Sequence, residues 1–270
     1  MQELAALCVG SLLSSRDFEA KVIGSFDRTC NLKLADGTII TCATSDYFNM
    51  PRGIIVQTPK QFKFNTILGA ETLAYCRSGI LRFSDSDLKI NLQSSKIWPP
   101  YFKLKVRPSK FLIAELWHAA TIKEADEFRP TLIDWAQHAI DLPVQELIGR
   151  GPGLTPLGDD ILTGILTALV SLGSTRGTVR ARILQASALT GDISRQMLSD
   201  AIKGHFIEPL VAMMSALYGD QSVKKSIQNL QRVGSSSGMA MLLGLLTGVA
   251  FTEHVRLNMR NIGPTEMRFT

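Results

Sequence analysis

The sequence has little of what marks several common protein classes. Its Lys and Arg residues are scattered rather than clustered and no basic–aromatic motif is present, which argues against nucleic-acid binding despite a net charge of +5. The apolar runs at residues 161–173 and 235–252 contain glycines and hydroxyl groups and fall short of a membrane span. The first 13 residues lack the basic start of a signal peptide. These absences predict a cytoplasmic protein that binds small anions or an acidic partner.

Cysteine is also scarce. The sequence has four cysteines, all in the first third of the chain, and none has zinc-ligand spacing. A two-residue hairpin loop at Asp36-Gly37 would pair Asn31 with Cys42 and turn Cys30 to the opposite face of the sheet. That register argues against a disulfide between Cys30 and Cys42. It predicts reduced thiols, which are typical of cytoplasmic proteins.

Two kinds of hydrophobic periodicity divide the 270 residues. Short alternating segments separated by turn residues predict strands in the first part, and apolar spacing from residue 109 onward predicts helices. A helix over residues 2–13 is expected to precede the strands. The expected strands are 20–23, 29–34, 38–42, 53–56, 79–83, 88–92 and 102–106, and the later helices are 110–122, 130–140, 144–148, 159–172, 178–189, 194–203, 208–218, 222–233 and 238–255. We therefore expect an α+β protein with a small antiparallel β-rich domain over 1–107 and an all-helical domain over 108–270.

The segment 149–164, GRGPGLTPLGDDILTG, carries the clearest functional signal. Its glycines and prolines lead into an apolar helix, and the free backbone N–H groups at such a helix start can hold a phosphate-like anion. The segment is neither a P-loop, which would continue with GK[ST], nor a dinucleotide fingerprint, because the GxGxxG spacing is absent. The candidate substrate-binding residues of this loop are Gly151, Gly153, Thr155 and Gly158.

Asp159 and Asp160 are the candidate catalytic residues of the same segment. The alternative is a purely structural role, with Asp159 as an N-cap and Asp160 as a first-turn acid. Adjacent helical residues point about 100° apart, so we expect Asp159 to cap the helix and Asp160 to face the ligand. Asp159 or Asp160 could orient an amine or bind Mg²⁺ that bridges phosphate oxygens. The sequence indicates no other cofactor.

Residues 158–167 and 238–247 resemble each other at an offset of 80 positions. The alternative is a chance similarity between two helices rich in Gly and Leu. A true repeat would pack two loop–helix units as a pseudo-symmetric pair, with Gly164 and Gly244 at a close helix crossing and both loops on one cleft. The candidate residues of the second loop are Ser236, Ser237 and Gly238, whose alternative role is to cap the next helix.

With both loops in view, the sequence resembles the AllH family, named for a subunit of oxamate carbamoyltransferase. The likeness rests on residues 149–164, on SRQMLSDAIKGHFIEPL at 194–210, and on GSSSGMAMLLG at 234–244. It implies carbamoyl transfer between oxamate and carbamoyl phosphate in allantoin catabolism. It also implies partner subunits, one of them similar to acyl-CoA synthetases. The second stretch adds Glu208 as a candidate binding residue, although Glu208 also suits a helix start before proline.

Ala240 departs from the family pattern, in which an Asp is usual at this place. The loss of that acid weakens any mechanism that needs a carboxylate from each loop. Two functions therefore stay open at this point. One is an enzyme subunit that binds a small anionic or phosphate-bearing substrate at the Gly-rich loop, and the other is a non-catalytic assembly or ligand-sensing subunit.

Overall fold

The computed structural model describes residues 2–13, 17–101, 109–120, 122–138, 141–174, 177–219 and 221–254. The chain divides into two compact units, Met1–Pro100 and Tyr101–Thr270. The expected domain boundary between residues 107 and 108 lies outside the described residues, as does the expected strand at 102–106.

The first unit is a closed β-barrel with one added strand. Its strands are β1 (Gln2–Gly10), β2 (Phe18–Ser25), β3 (Thr29–Leu34), β4 (Ile39–Thr44), β5 (Gly53–Val56), β6 (Leu73–Arg77), β7 (Ile80–Phe83), β8 (Ser86–Asn91) and β9 (Lys96–Trp98). Eight of them follow the order β5-β4-β3-β2-β6-β7-β8-β1, and β1 also pairs with β5, which closes the ring. The ninth strand, β9, pairs with the last residues of β1.

The barrel is mixed, which corrects the expectation of an antiparallel β-rich domain. β1 runs parallel to β8 and β9, and β4 runs parallel to β5. The other neighbouring strands are antiparallel. Alternation within a segment predicts a strand but not the direction of its partner, because pairing depends on residues far away in the chain.

Residues 2–10 form β1, so the expected helix over residues 2–13 is wrong. Leu4, Ala6 and Val9 are buried, whereas the intervening Leu7 is 41% exposed. Gln, Glu, Leu and Ala favour helices as isolated residues, but such preferences are weak priors. In the barrel, three neighbouring strands satisfy the backbone of β1 and bury one of its faces.

The hairpin between β3 and β4 has a three-residue loop at 35–37, not the expected two-residue loop. The N–H of Leu34 donates to the carbonyl of Thr38 at 2.9 Å. Cys30 consequently lies directly opposite Cys42, so the argument that placed these thiols on opposite faces is wrong. Both cysteines are buried and neither forms a disulfide, and burial raises the pKa of the Cys30 thiol to about 12.

The second unit is helical, and each of the nine expected helices after residue 109 has a counterpart among the described residues. They are α1 (Lys110–Ala119), α2 (Arg129–His138), α3 (Val144–Leu147), α4 (Leu157–Ser171), α5 (Gly177–Ala186), α6 (Asp192–Ile202), α7 (Glu208–Leu217), α8 (Val223–Gln231) and α9 (Ser237–Glu253). Two 3₁₀ segments, Lys123–Phe128 and Ser187–Leu189, precede α2 and α6.

The long helix α9 lies at the centre of this unit, packed against α1, α2, α4 and α8. It is apolar on nearly every side, which is typical of a fully buried helix. The ring of Trp135 stacks on Phe251 at 4.3 Å between centroids. The indole N–H of Trp117 donates to the hydroxyl of Thr247 at 3.2 Å. No helix in the described ranges has the length and apolar content needed to cross a membrane.

Candidate functional site

The helices α4 and α9 cross at two glycines that leave no room for a side chain. A β-carbon on Gly164 would lie 2.0 Å from the carbonyl oxygen of Met241, and one on Gly244 would lie 2.0 Å from that of Ile161. These two contacts are reciprocal, because the offset of 80 converts Ile161 into Met241 and Gly164 into Gly244. The predicted pseudo-symmetric packing of the two loop–helix units is thus confirmed.

One further contact follows the offset of 80, and a glycine at the start of each long helix packs against the helix that precedes its loop. A β-carbon on Gly248 would lie 2.7 Å from the β-carbon of Ala168, its own counterpart, so this pair lies on the pseudo-twofold axis. A β-carbon on Gly158 would lie 1.8 Å from the carbonyl oxygen of Leu147, and one on Gly238 would lie 1.7 Å from that of Leu230. Each repeat unit therefore consists of a helix, a glycine-rich loop and a long helix: α3 with α4, and α8 with α9.

The two long helices are parallel, so both begin at the same end of the pair. Near their starts the hydroxyl oxygens of Thr155 and Ser237 lie 3.2 Å apart, and further along Ala168 meets Gly248. The positive ends of two helix dipoles consequently converge on one place. We call the group formed by Thr155, Asp160 and Ser237 the loop junction.

The first loop presents unused hydrogen-bond donors next to the loop junction. The N–H of Gly158 donates to the carbonyl of Arg150 at 2.9 Å and closes the base of the loop. Gly151 and Gly153 adopt φ values of 111° and 96°, which disfavour any residue with a β-carbon. Within the described chain, no acceptor takes the backbone N–H groups of Gly151, Gly153, Leu154 and Thr155. Exposed N–H groups of this kind are suited to an anion.

Asp159 braces the loop instead of capping the helix. Pro156 occupies the N-cap position of α4 and Asp159 is the third helical residue, so the expected capping role is wrong. One carboxylate oxygen of Asp159 accepts from the N–H of Gly149 at 2.7 Å. The other accepts from the hydroxyl of Thr190 at 2.5 Å. The side chain is fully buried, and these bonds tie the start of the loop to the segment before α6.

Thr190 and Arg195 are supporting residues whose role sequence reasoning missed. Arg195 donates to the carbonyl of Thr190 at 2.9 Å and to that of Ser187 at 3.1 Å. It thereby holds the hydroxyl that binds Asp159. Thr190 is 31 positions from Asp159 in the chain, and no local motif or spacing indicates the pair.

Asp160 is the unsatisfied group of the loop junction. It is 1% exposed, and neither carboxyl oxygen has a partner at hydrogen-bonding distance and angle in the described part of the protein. Burial raises the pKa of this carboxyl to about 8. The nearby Ser237 hydroxyl partly offsets the increase, and the negative charge of Asp159 adds to it. A buried acid that is neutral at pH 7 can donate a hydrogen bond or a proton to a bound molecule.

The second loop meets the first through its last serine. Ser236 occupies the N-cap position of α9, but its hydroxyl makes no capping hydrogen bond. Ser237 is the first helical residue and contacts Thr155. The N–H of Gly238 donates to the carbonyl of Val233 at 2.9 Å, in the same way that Gly158 closes the first loop. Ala240 is fully buried at the position equivalent to Asp160.

Two protein-family models match this chain. The model described as oxamate carbamoyltransferase subunit AllH matches residues 147–249, which run from α3 into α9. The model of the AllH family N-terminal domain matches residues 4–97, which cover nearly the whole barrel. This chain belongs to the AllH family. No solved structure matches the chain.

The AllH match covers both glycine-rich loops, the whole of α4, most of α9 and every candidate site residue. The structure brings Thr155, Asp160 and Ser237 together. It places the side chain of Asp159 against Gly149 and Thr190 instead. Glu208 is the half-buried first residue of α7, followed by Pro209, so the expected helix start is confirmed. Among the described residues, no three His, Cys, Asp or Glu side chains form a group that could hold a metal ion. The roles of the candidate residues in binding and catalysis remain predictions.

Proposed function

We propose that this AllH-family chain binds a small anionic substrate at the loop junction and acts as one subunit of a carbamoyltransferase. Oxamate, which the family description names, is such an anion, and carbamoyl phosphate is the carbamoyl donor implied by the resemblance of the loops. The observation that carries the proposal is a buried acid without a partner at the point where two parallel helices begin.

Electrostatics favour an anion at this position. Each helix start contributes a charge equivalent to about +0.5, and the effect is confined to the first turn. The two helices are parallel and in close contact, so both contributions act on the same small volume. The free N–H groups of Gly151 and Gly153 and the hydroxyls of Ser236 and Ser237 supply directed hydrogen bonds. A carboxylate or a phosphate fits this combination.

The family match also implies partner proteins, because AllH is described as one subunit of oxamate carbamoyltransferase. We propose that the transfer occurs in a complex with them. Two exposed leucines, Leu154 and Leu189, are candidate contacts for such a partner. They are 55% and 67% exposed and belong to the two segments that Asp159 ties together.

A non-catalytic role in assembly or ligand sensing is the second candidate. It is favoured by Ala240, which leaves the second repeat unit without an acid. Such a subunit would bind an anion at the same loops but would add nothing to turnover. Exchange of Asp160 would then change ligand affinity and leave the turnover number of the assembled complex unaltered.

Calorimetry with the full chain tests the proposal, with phosphate, carbamoyl phosphate and oxamate as the probes. Gly153→Val should weaken binding at least tenfold, because a β-branched residue cannot keep the loop path at φ 96°. Gly219→Val is the matched control, since Gly219 has φ 91° and, like Gly153, open space around it. The proposal is wrong if the wild type binds none of the probes and Gly153→Val changes no ligand affinity of the assembled complex.

A further inference from the structure

We propose that Asp160 is the catalytic residue that carries the proton between the enzyme and the nitrogen of the carbamoyl acceptor. This inference rests on the proposed function and adds a chemical role at the same site. It assigns to one side chain the step that any carbamoyl transfer to or from nitrogen must include.

The arrangement of the two acids singles out Asp160. Both oxygens of Asp159 already accept hydrogen bonds from the protein, and the side chain is fully buried, so these contacts give it a structural role. Neither oxygen of Asp160 accepts a hydrogen bond of normal distance and angle, although the residue is 1% exposed and the Ser237 hydroxyl lies near it. A buried polar group without a hydrogen-bond partner destabilises the folded protein. A ligand that hydrogen-bonds to Asp160 would remove that penalty.

The proton balance of the reaction requires such a group. When an N-carbamoyl amide reacts with phosphate, a phosphate oxygen forms a bond to the carbamoyl carbon and the bond from that carbon to the amide nitrogen breaks. The departing nitrogen needs a proton, which the neutral carboxyl of Asp160 supplies while it becomes a carboxylate. In the opposite direction the acceptor nitrogen attacks carbamoyl phosphate, phosphate leaves, and Asp160 takes the proton from nitrogen. No oxidant or further reactant is needed.

The surroundings of Asp160 keep its proton available near neutral pH. Burial has the largest effect and raises the pKa to about 8. The Ser237 hydroxyl on α9 lowers the pKa, and the neighbouring Asp159 raises it. The first turn of α9 carries no acidic residue. The charged groups on the other helices that pack against α4 are Glu146 on α3, Asp192, Arg195 and Asp200 on α6 with Lys203 directly after it, and Glu208 on α7.

Those more distant groups do not dominate the environment of Asp160. The guanidinium of Arg195 is engaged by Asp192 and by two backbone carbonyls. The side chain of Asp200 accepts from Gln196. Asp159 and Ser237 are therefore the two side chains through which the protonation of Asp160 can be tuned, and they act in opposite directions.

A carbon-13 NMR titration of the carboxyl groups in the full-length chain gives a readout that does not require activity. The wild type should show one carboxyl that titrates near pH 8 and disappears in Asp160→Asn. Ser237→Ala should move that titration to higher pH, because the hydroxyl favours the charged form. Asp159→Asn should move it to lower pH, because a neighbouring negative charge is lost. Absence of an Asp160 signal above pH 6 would overturn the inference.

The pH dependence of turnover tests the same role in the assembled complex, which is purified by an affinity tag on the full-length chain. In the direction that releases nitrogen, kcat should fall tenfold per pH unit above the Asp160 titration. Asp160→Asn should lower kcat by about 10²–10⁴-fold, which is the usual contribution of a general acid, and should abolish this dependence. Calorimetry separates the two proposals. A variant that binds phosphate and keeps the wild-type kcat and pH profile would overturn the catalytic role alone, whereas a wild type that binds no anion overturns both.

Discussion

Asp160→Asn should stabilise the helical unit, and the gain should grow as the pH rises. The wild-type carboxyl has a pKa of about 8 in the folded protein, compared with an ordinary value of 3.8. The folded state therefore holds a proton that the unfolded chain releases between these two values. Wild-type stability is lost as the pH increases through this window, because the unfolded state gains from ionisation and the folded state does not. Asn does not ionise and avoids the loss.

The expected size of the effect follows from the shift. One pKa unit corresponds to about 1.4 kcal/mol, so the loss reaches roughly 4 kcal/mol at pH 7 as an upper limit if the unfolded carboxyl is unperturbed. Between pH 5 and pH 8 the difference between Asn and Asp should widen by at most about 4 kcal/mol. A smaller widening is expected where water reaches the carboxyl during local opening of the loop.

Urea denaturation at pH 5, 6, 7 and 8, followed by tryptophan fluorescence, measures this difference. Trp117 and Trp135 are buried in the helical unit and report on its unfolding. Other titrating groups are common to both proteins and cancel when the two free energies of unfolding are subtracted at each pH. The reasoning is refuted if the difference is independent of pH, or if Asp160→Asn is the less stable protein at pH 8.

Three further predictions concern packing and domain structure. Gly164→Ala should destabilise the helical unit by about 1–3 kcal/mol or more, because its β-carbon would lie 2.0 Å from the carbonyl of Met241; Gly177→Ala, in open space, should be nearly neutral, and equal urea midpoints for both variants would contradict the close crossing. Asp159→Ala should lower the free energy of unfolding at pH 6 by about 1–3 kcal/mol, because the N–H of Gly149 and the buried hydroxyl of Thr190 lose their acceptor, and thermal melts that match the wild type would argue against the brace. Limited proteolysis should cut at residues 98–109 and release a helical fragment that circular dichroism shows to be folded; an unfolded fragment would contradict an autonomous helical domain.

The helical unit was largely predictable because its signals are local. Helix α7 begins at Glu208, as expected from the Glu-Pro start, and α4 begins within two residues of the expected position. The close crossing at Gly164 and Gly244 was also predictable, since glycine at matching positions of two apolar helices indicates that the helix backbones approach closely. The repeat also relates the two contacts, because the offset of 80 converts the contact of Gly164 with Met241 into that of Gly244 with Ile161.

The barrel was predicted less well because its structure depends on distant partners. Residues 2–10 have the composition of a helix, and they form a strand only because β5, β8 and β9 lie beside them. The strand at Leu73–Arg77 was missed, and one extra residue in the loop at 35–37 reversed the expected relation of Cys30 and Cys42. A shift of one residue moves every side chain of a strand to the other face.

The sequence alone determined where the helices and glycine-rich loops lie, because helix periodicity, glycine and proline act over a few residues. It also determined that Asp159 and Asp160, as neighbours in a helix, must have different surroundings. Only the tertiary structure decided which surroundings each receives. Asp159 meets Thr190 from a remote segment and is satisfied, whereas Asp160 is buried beside Ser237 and is not. The difference depends on the packing of distant segments, because hydrogen bonds and desolvation act through space, whatever the separation along the chain.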